Sequence, residues 1–241
     1  RSTRVRSSAA SDVYKRQSLF CVFSLTFNIV LPCFANDNAY VWSFGQEPTE
    51  ETTAELTEDN SLNLESQSAI LIEQSTGQVL YSHNIHEQLR PASVTKVMSI
   101  LLIMEALDSG KIALTDQVPC SENASSMGGS QIWLDPRETL SVDDMLKAIC
   151  VNSANDCVVA MAEFIAGSED AFVQMMNDKA KELGMSDTTF KNCHGLDEDG
   201  HVTSSYDIAL MSRELLLKHP DVTKYTTIWM DELRGRKIAT F

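Results

Sequence analysis

Ser93 and Lys96 stand three residues apart in the run Arg90-Pro91-Ala92-Ser93-Val94-Thr95-Lys96. A serine hydroxyl is a weak nucleophile until a base takes its proton. A lysine amine becomes that base when burial or a neighbouring cation lowers its pKa. Spacing of three puts both groups on one face if the segment is helical. Pro91 suits the start of a helix, since its fixed φ and missing N–H cost nothing there. The apolar run Val97–Met104 behind it, rich in Leu and Met and stopped at Asp108-Ser109-Gly110, predicts a buried helix over 93–107. Ser93 then falls in the first turn, where free N–H groups and the positive end of the dipole favour a developing negative charge. The chemistry on offer is nucleophilic catalysis by a serine that a lysine activates. As a bare pattern Ser-x-x-Lys arises by chance roughly once in a chain of this length, so a capped helix with a solvated lysine is the competing account.

An activated serine also needs a group to relay its proton to a leaving amine, and a donor to orient the substrate amide. Ser153-Ala154-Asn155 supplies a hydroxyl and a side-chain amide. Ser-x-Asn also occurs at Ser61, Ser82 and Ser121. What selects residues 153–155 is that they interrupt two apolar helical segments, in a lobe 60 residues beyond Ser93. A simple capping turn is the competing reading.

These groups have to be positioned by a folded domain, and the order of elements suggests which. Two short strands, 68–73 and 78–82, flank the turn residues 74–77. After helix 93–107, Leu114–Cys120 reads as a further strand and Ser121–Arg137 as loop. Helices follow at 142–151, after the capping pattern Ser141-Val142-Asp143-Asp144, at 157–165, at 168–183 and at 204–219. From Tyr225 to Met230 the chain reads as strand, with a turn at Arg234-Gly235-Arg236. Strands at both ends with helices between predict an α+β fold, an α/β sandwich with a helical lobe.

Ahead of the domain the composition changes. Residues 1–17 show no apolar period and resemble translated vector sequence, a probable non-native leader set aside from fold reasoning. Residues 18–35 read as an export signal: Lys15-Arg16, a short apolar stretch from Leu19 to Leu31, then Pro32-Cys33-Phe34-Ala35 with small residues at −3 and −1. That stretch is too short and polar for a comfortable membrane span. Residues 36–66 hold eight acids and no base, which predicts a disordered linker before the domain at 67–241.

Composition narrows the partners. Net charge is −15, and removal of the signal leaves 14 basic against 33 acidic side chains, which argues against nucleic acid as a partner. No Cys/His spacing reads as a metal site and no cofactor is expected. Four cysteines, Cys120, Cys150, Cys157 and Cys193, remain after cleavage. Their pairing stays open, with free buried thiols the commoner outcome in the apolar helical surroundings of Cys150 and Cys157.

Taken together, the motifs resemble those of the penicillin-binding protein and serine β-lactamase superfamily, and more closely its low-molecular-mass members, the D-alanyl-D-alanine carboxypeptidases. The words that carry the resemblance are Ala69-Ile70-Leu71-Ile72, Thr76 to Tyr81, Arg90 to Lys96, Val151-Asn152-Ser153-Ala154-Asn155-Asp156 and His194-Gly195-Leu196-Asp197, supported by Tyr206-Asp207-Ile208-Ala209 and Trp229-Met230-Asp231-Glu232. The resemblance spans 67–241 and implies a β-lactamase/transpeptidase-like fold, an antiparallel sheet plus a helical lobe. It implies Ser93 as acyl-enzyme nucleophile, Lys96 as general base, Ser153 as proton relay and Asn155 as holder of the substrate amide. It implies removal of the terminal D-alanine from peptidoglycan stem peptides, with β-lactams as covalent inhibitors, outside the cytoplasm. His194 is not needed as a base when Lys96 is present, and Asp197 reads as a loop-fixing acceptor.

The family's Lys-Thr-Gly strand does not occur in these 241 residues. The expectation is therefore a truncated chain that lacks one oxyanion donor and the carboxylate clamp and is inactive as it stands, with peripheral membrane attachment, as the resemblance implies it, left to a C-terminal segment missing from this sequence. Losing one oxyanion donor alone costs roughly 10²–10³ in rate. Two alternatives are a serine β-lactamase, disfavoured because Glu163-Phe164-Ile165-Ala166-Gly167 does not match the Glu-x-x-Leu-Asn element, and a penicillin-sensing domain with an idle serine.

Overall fold

The computed structural model describes Leu62 and residues 64–239. The leader 1–17, the signal 18–35 and most of the linker 36–66 lie outside the described residues. In chain order the elements are β1 (Ala69–Ile72), β2 (Val79–His83), a 3₁₀ turn (Ala92–Thr95), α1 (Lys96–Asp108), β3 (Gln117–Pro119), α2 (Glu122–Ser125), β4 (Thr139–Ser141), α3 (Val142–Asn152), α4 (Asn155–Ala166), α5 (Glu169–Glu182), α6 (Ser205–Lys218), a second 3₁₀ turn (Pro220–Val222), α7 (Thr223–Thr226), β5 (Met230–Leu233) and β6 (Arg236–Ala239).

Helix α1 is the axis of the fold. From Met98 to Met104 it is buried on every side, the mark of a helix enclosed by others. Helices α4, α5 and α6 pack around it. Phe172, Phe190, Met98, Leu101, Ile103, Met145, Leu146, Met161, Met176 and Met211 are the largest side chains of the sealed core. Serine caps start four helices: the hydroxyls of Ser121, Ser141, Ser168 and Ser204 accept from the backbone N–H groups of Ala124, Asp144, Ala171 and Asp207. Each satisfies a donor that a helix start would leave free, worth about 1 kcal/mol.

Strands β1 and β2 form an antiparallel hairpin closed at Glu73–Gln78. Inside the turn the Glu73 carboxylate collects the backbone and hydroxyl groups of Ser75 and Thr76, which hold its pKa down to about 2. Arg213 of α6 donates to the carbonyls of Gln74 and Ser75, both at 2.7 Å, and ties the hairpin to the helical body. Strand β3 pairs antiparallel with β4, and β5 with β6. Among the described residues these are three separate two-stranded sheets. The mixed architecture expected from the sequence is therefore present, with the first and last hairpins unpaired with each other.

Local details differ from the sequence reading. The expected helix 93–107 divides into a 3₁₀ turn and α1, because Pro91 and the left-handed Ala92 (φ 46°) impose a tight bend before the α-helix can begin. The segment Ser121–Arg137 holds the short α2. Residues 139–141 form a strand as well as a cap, since Thr139, Leu140 and Ser141 face Pro119, Val118 and Gln117. Tyr225 lies in α7 rather than in a strand; its ring is buried and its hydroxyl donates to Asp143 Oδ1 at 2.8 Å, which fixes that turn against α3. All four described cysteines are free thiols. No helix among the described residues is long and apolar enough to cross a membrane.

Candidate active site

The tight bend puts Ser93 in the 3₁₀ turn, exposed to solvent, and Lys96 at the first position of α1, 3% exposed. Lys96 Nζ lies 3.3 Å from Ser93 Oγ and donates to the His194 carbonyl at 2.7 Å. Burial, partly opposed by the Cys193 thiol, lowers the Lys96 pKa from 10.5 to about 8. An ammonium removed from water loses hydration that one carbonyl does not replace, so the neutral amine gains relative to the charged one. A nucleophile facing solvent beside a buried amine that titrates near 8 is the arrangement needed for general-base activation.

Two buried histidines fix this bend from behind. His201 Nδ1 accepts from Lys191 N–H, so its Nε2 carries the proton and donates to Thr95 Oγ1 at 2.7 Å. His194 Nδ1 accepts from Leu196 N–H, which fixes the same tautomer. Burial lowers the pKa of both rings, and for His194 the nearby Lys96 adds to the effect while Glu169 opposes it. His194 therefore sits neutral, and its carbonyl rather than its ring serves Lys96. Asp197 pairs with Arg90 at the exposed rim of the same loop, in keeping with a loop-fixing role.

Gly195 makes this packing possible. Its φ is +92°, and a Cβ there would stand 1.9 Å from the Ala92 carbonyl oxygen and 3.0 Å from Ser93 N. Only a residue without a side chain lets the 192–197 loop close on the Ala92–Ser93 turn.

The second constellation lies where α3 gives way to α4. Ser153 is the left-handed C-cap of α3 (φ 53°), and Asn155 opens α4. The break between helices is thus two residues, Ser153 and Ala154, shorter than the sequence suggested. Ser153 Oγ and Asn155 Oδ1 are buried without a hydrogen-bond partner in the protein. Buried polar atoms are nearly always satisfied, so two unpartnered oxygens on residues only two apart are candidates for contact with another molecule. Ser153 Oγ is not hydrogen-bonded to Lys96 or Ser93. Asn155 Nδ2 donates to the Gly128 carbonyl at 2.7 Å, and Asn155 N–H to the Ser130 carbonyl at 2.7 Å. A Cβ on Gly129 would stand 2.9 Å from Asn155 Nδ2 and 3.4 Å from the Leu196 side chain. Gly129 thus lies between the Asn155 side chain and Leu196 of the loop that packs on the Ala92–Ser93 backbone.

Asp156 holds the loop before β4 in place, a role the sequence reading did not assign. Fully buried, it accepts from the N–H groups of Ile132, Leu134 and Cys157, the last two at 3.0 Å. Carboxylates at a helix start are a recognisable signal, but their loop partners, over twenty residues away, are not. Replacing Asp156 with alanine leaves three buried donors unpaired and should destabilise the chain by about 2–5 kcal/mol, read as a lower urea midpoint; asparagine, which keeps an acceptor, should lose less.

Comparison with known proteins gives the site its setting. DacF of Bacillus subtilis (strain 168), a D-alanyl-D-alanine carboxypeptidase, is 58% identical over 170 residues, covering 70% of this chain and 43% of that protein. DacC of Escherichia coli (strain K12), of the same description, is 37% identical over 158 residues, 63% of this chain and 40% of its own length. The chain thus spans less than half the length of these curated relatives. Among solved structures, penicillin binding protein 6B from Escherichia coli superposes with a TM-score of 0.69 at 33% identity, over 73% of this chain and 58% of that one. Penicillin-Binding Protein D2 from Listeria monocytogenes, solved in an ampicillin-bound form, gives 0.66 at 29% identity, over 74% of this chain and 73% of that one. Its fold is therefore that of the penicillin-binding proteins, and with residues 52–240 matched by the family model described as D-alanyl-D-alanine carboxypeptidase, the chain belongs to that family.

Proposed function

We propose that this chain carries the nucleophile side of a serine D-Ala-D-Ala carboxypeptidase that trims peptidoglycan stem peptides. The single observation behind the reading is the buried Lys96 amine 3.3 Å from the exposed Ser93 hydroxyl. Lys96 Nζ takes the hydroxyl proton as Ser93 Oγ attacks the carbonyl of the penultimate D-alanine. The tetrahedral adduct collapses, the C–N bond breaks, and the amine of the leaving D-alanine takes a proton relayed through Ser153 Oγ. Asn155 orients the substrate amide. Water then attacks the Ser93 ester, loses its proton to the amine base, and restores the free serine. A β-lactam follows the same first step and stays on as an ester. The Lys15-Arg16 flank and the apolar stretch after it support export, so that the enzyme meets its substrate outside the cytoplasm.

The test uses the full-length protein, a fluorescent penicillin and a peptide ending in D-Ala-D-Ala. The expected result is one label per chain, on Ser93, abolished by Ser93→Ala, together with release of D-alanine. Rapid turnover of the β-lactam would instead show a β-lactamase, and labelling without D-alanine release a sensor. Because the neutral form of Lys96 is the base, the acylation rate should rise with pH along a limb centred near 8, with about a tenth of the amine free at pH 7. A flat profile from pH 6 to 9 contradicts the assignment.

A further inference from the structure

Lys96 Nζ donates to the Ser93 hydroxyl at 3.3 Å and to the His194 carbonyl at 2.7 Å, so whatever holds residues 193–194 helps to aim the base. Glu169, the first residue of α5, stands behind that segment. Its Oε1 accepts from Cys193 N–H and from Cys193 Sγ–H, both at 3.3 Å, and lies 3.4 Å from His194 Nε2, the ring nitrogen that carries the proton. From the other side Ser99 Oγ, on α1, donates to the Cys193 carbonyl at 2.6 Å. The peptide unit that leads into His194 is thereby held between α1 and α5. Such links are absent from any short sequence pattern, since positions 169 and 193 are distant along the chain.

We propose that Glu169 is a positioning residue for the reaction, holding Cys193 and His194 so that the His194 carbonyl points at Lys96 Nζ. The inference rests on the reading of Lys96 as general base. It goes beyond that reading by placing control of the base on a second helix. The groups facing the His194 ring are Glu169 from α5, Lys96 from α1 and Glu198 from the ring's own loop. Glu198 is itself engaged by Asn192 Nδ2 at 3.3 Å. Of the two carboxylates, only Glu169 also binds Cys193. A carbonyl that accepts from an ammonium favours the charged amine, so loosening it shifts the amine's titration downward while spoiling its aim.

Two variants of the full-length protein separate aim from charge. Glu169→Asp keeps the negative charge at the start of α5 but is one methylene too short to reach Cys193. Glu169→Gln loses the charge but keeps an acceptor oxygen at full reach. The readout is the rate of Ser93 acylation by a fluorescent penicillin from pH 6 to 10, normalised to the labelling end point, with Lys96→Met alongside. Glu169→Asp should acylate at least tenfold more slowly, with its rising limb moved to lower pH. Glu169→Gln should stay within about threefold of the unmodified protein, with the limb unmoved. Acylation of Glu169→Asp at the unmodified rate overturns the proposal, as does a Glu169→Gln variant as slow as the aspartate. A Lys96→Met protein that labels at full speed overturns instead the reading of Lys96 as base. An inactive Lys96→Met beside an unimpaired Glu169→Asp sinks only the role of Glu169.

Discussion

Replacing Lys96 with methionine should slow acylation of Ser93 by about 10²–10⁴-fold, the usual contribution of a positioned general base. Arginine should not rescue it, because a guanidinium stays protonated and has no lone pair to offer. The same change should leave the protein folded, since methionine fills a comparable volume and removes an ammonium that is only 3% exposed. Stability will report the substitution in another way. In the folded chain the Lys96 pKa is lowered from 10.5 to about 8, so between those values the unfolded chain binds more protons than the native one. Stability then rises with pH across that window, and the penalty of the buried cation is fully present below it. The size of that rise is on the order of 3 kcal/mol. Lys96→Met should abolish this component, so urea midpoints of the two proteins should converge as pH climbs from 8 toward 10.5. A variant whose stability climbs as steeply as the unmodified chain's would mean that the amine is hydrated.

Gly195→Ala should be nearly as damaging to labelling, and by a route that involves no reacting atom. The added methyl carbon would overlap the backbone of Ala92, at 1.9 Å from its oxygen and 2.4 Å from its carbon, and backbone cannot swing aside as a long side chain can. The left-handed φ of +92° adds strain for any residue with a Cβ. Strain of about 1–3 kcal/mol and overpacking of about 1–3 kcal/mol together predict a loss of roughly 2–6 kcal/mol. The clash relaxes only if the 92–93 peptide or the 194–196 loop moves. Either motion separates Ser93 Oγ from Lys96 Nζ, so acylation should fall by at least about 10²-fold in the molecules that remain folded. A thermal melt and a labelling time course check the two halves of this prediction. Gly110→Ala is the control, because a Cβ there meets nothing within 4 Å although its φ is also positive.

The closeness of Ser93 to Lys96 and the helix break beside Asn155 were legible in the sequence because each belongs to a short word whose spacing maps onto a local element. The helices were legible for the same reason: serine caps and apolar periods are local signals, and α3, α5 and α6 fall within a residue or two of the expected bounds. Pro91 announced a helix start, yet the 3₁₀ bend depends on Ala92 adopting φ +46°, which alanine does only under tertiary pressure. Strand β4 was hidden because three residues carry too little alternation to register, and only pairing with β3 defines it. Glu169, Asp156 and the two histidine tautomers were out of reach. The roles of Glu169 and Asp156 arise from contacts over twenty residues away, and the tautomers from backbone N–H groups that only the folded loops bring to the rings, none of which one sequence encodes as a pattern. Gly195 sat in a quoted motif, but its reason is the carbonyl of Ala92, over a hundred residues earlier, packed directly against it.

Ser153 holds its hydroxyl in place by accepting a backbone angle that glycine adopts freely. Directed evolution for heat tolerance alone will therefore find Ser153→Gly attractive: the hinge relaxes, an orphaned oxygen disappears, and nothing else in the helical lobe has to move. With Ser153 as the proposed proton relay, the survivors of such a screen would be sturdier and chemically mute. On that proposal, selection on folding and selection on turnover pull one position in opposite directions, and libraries need both pressures from the first round.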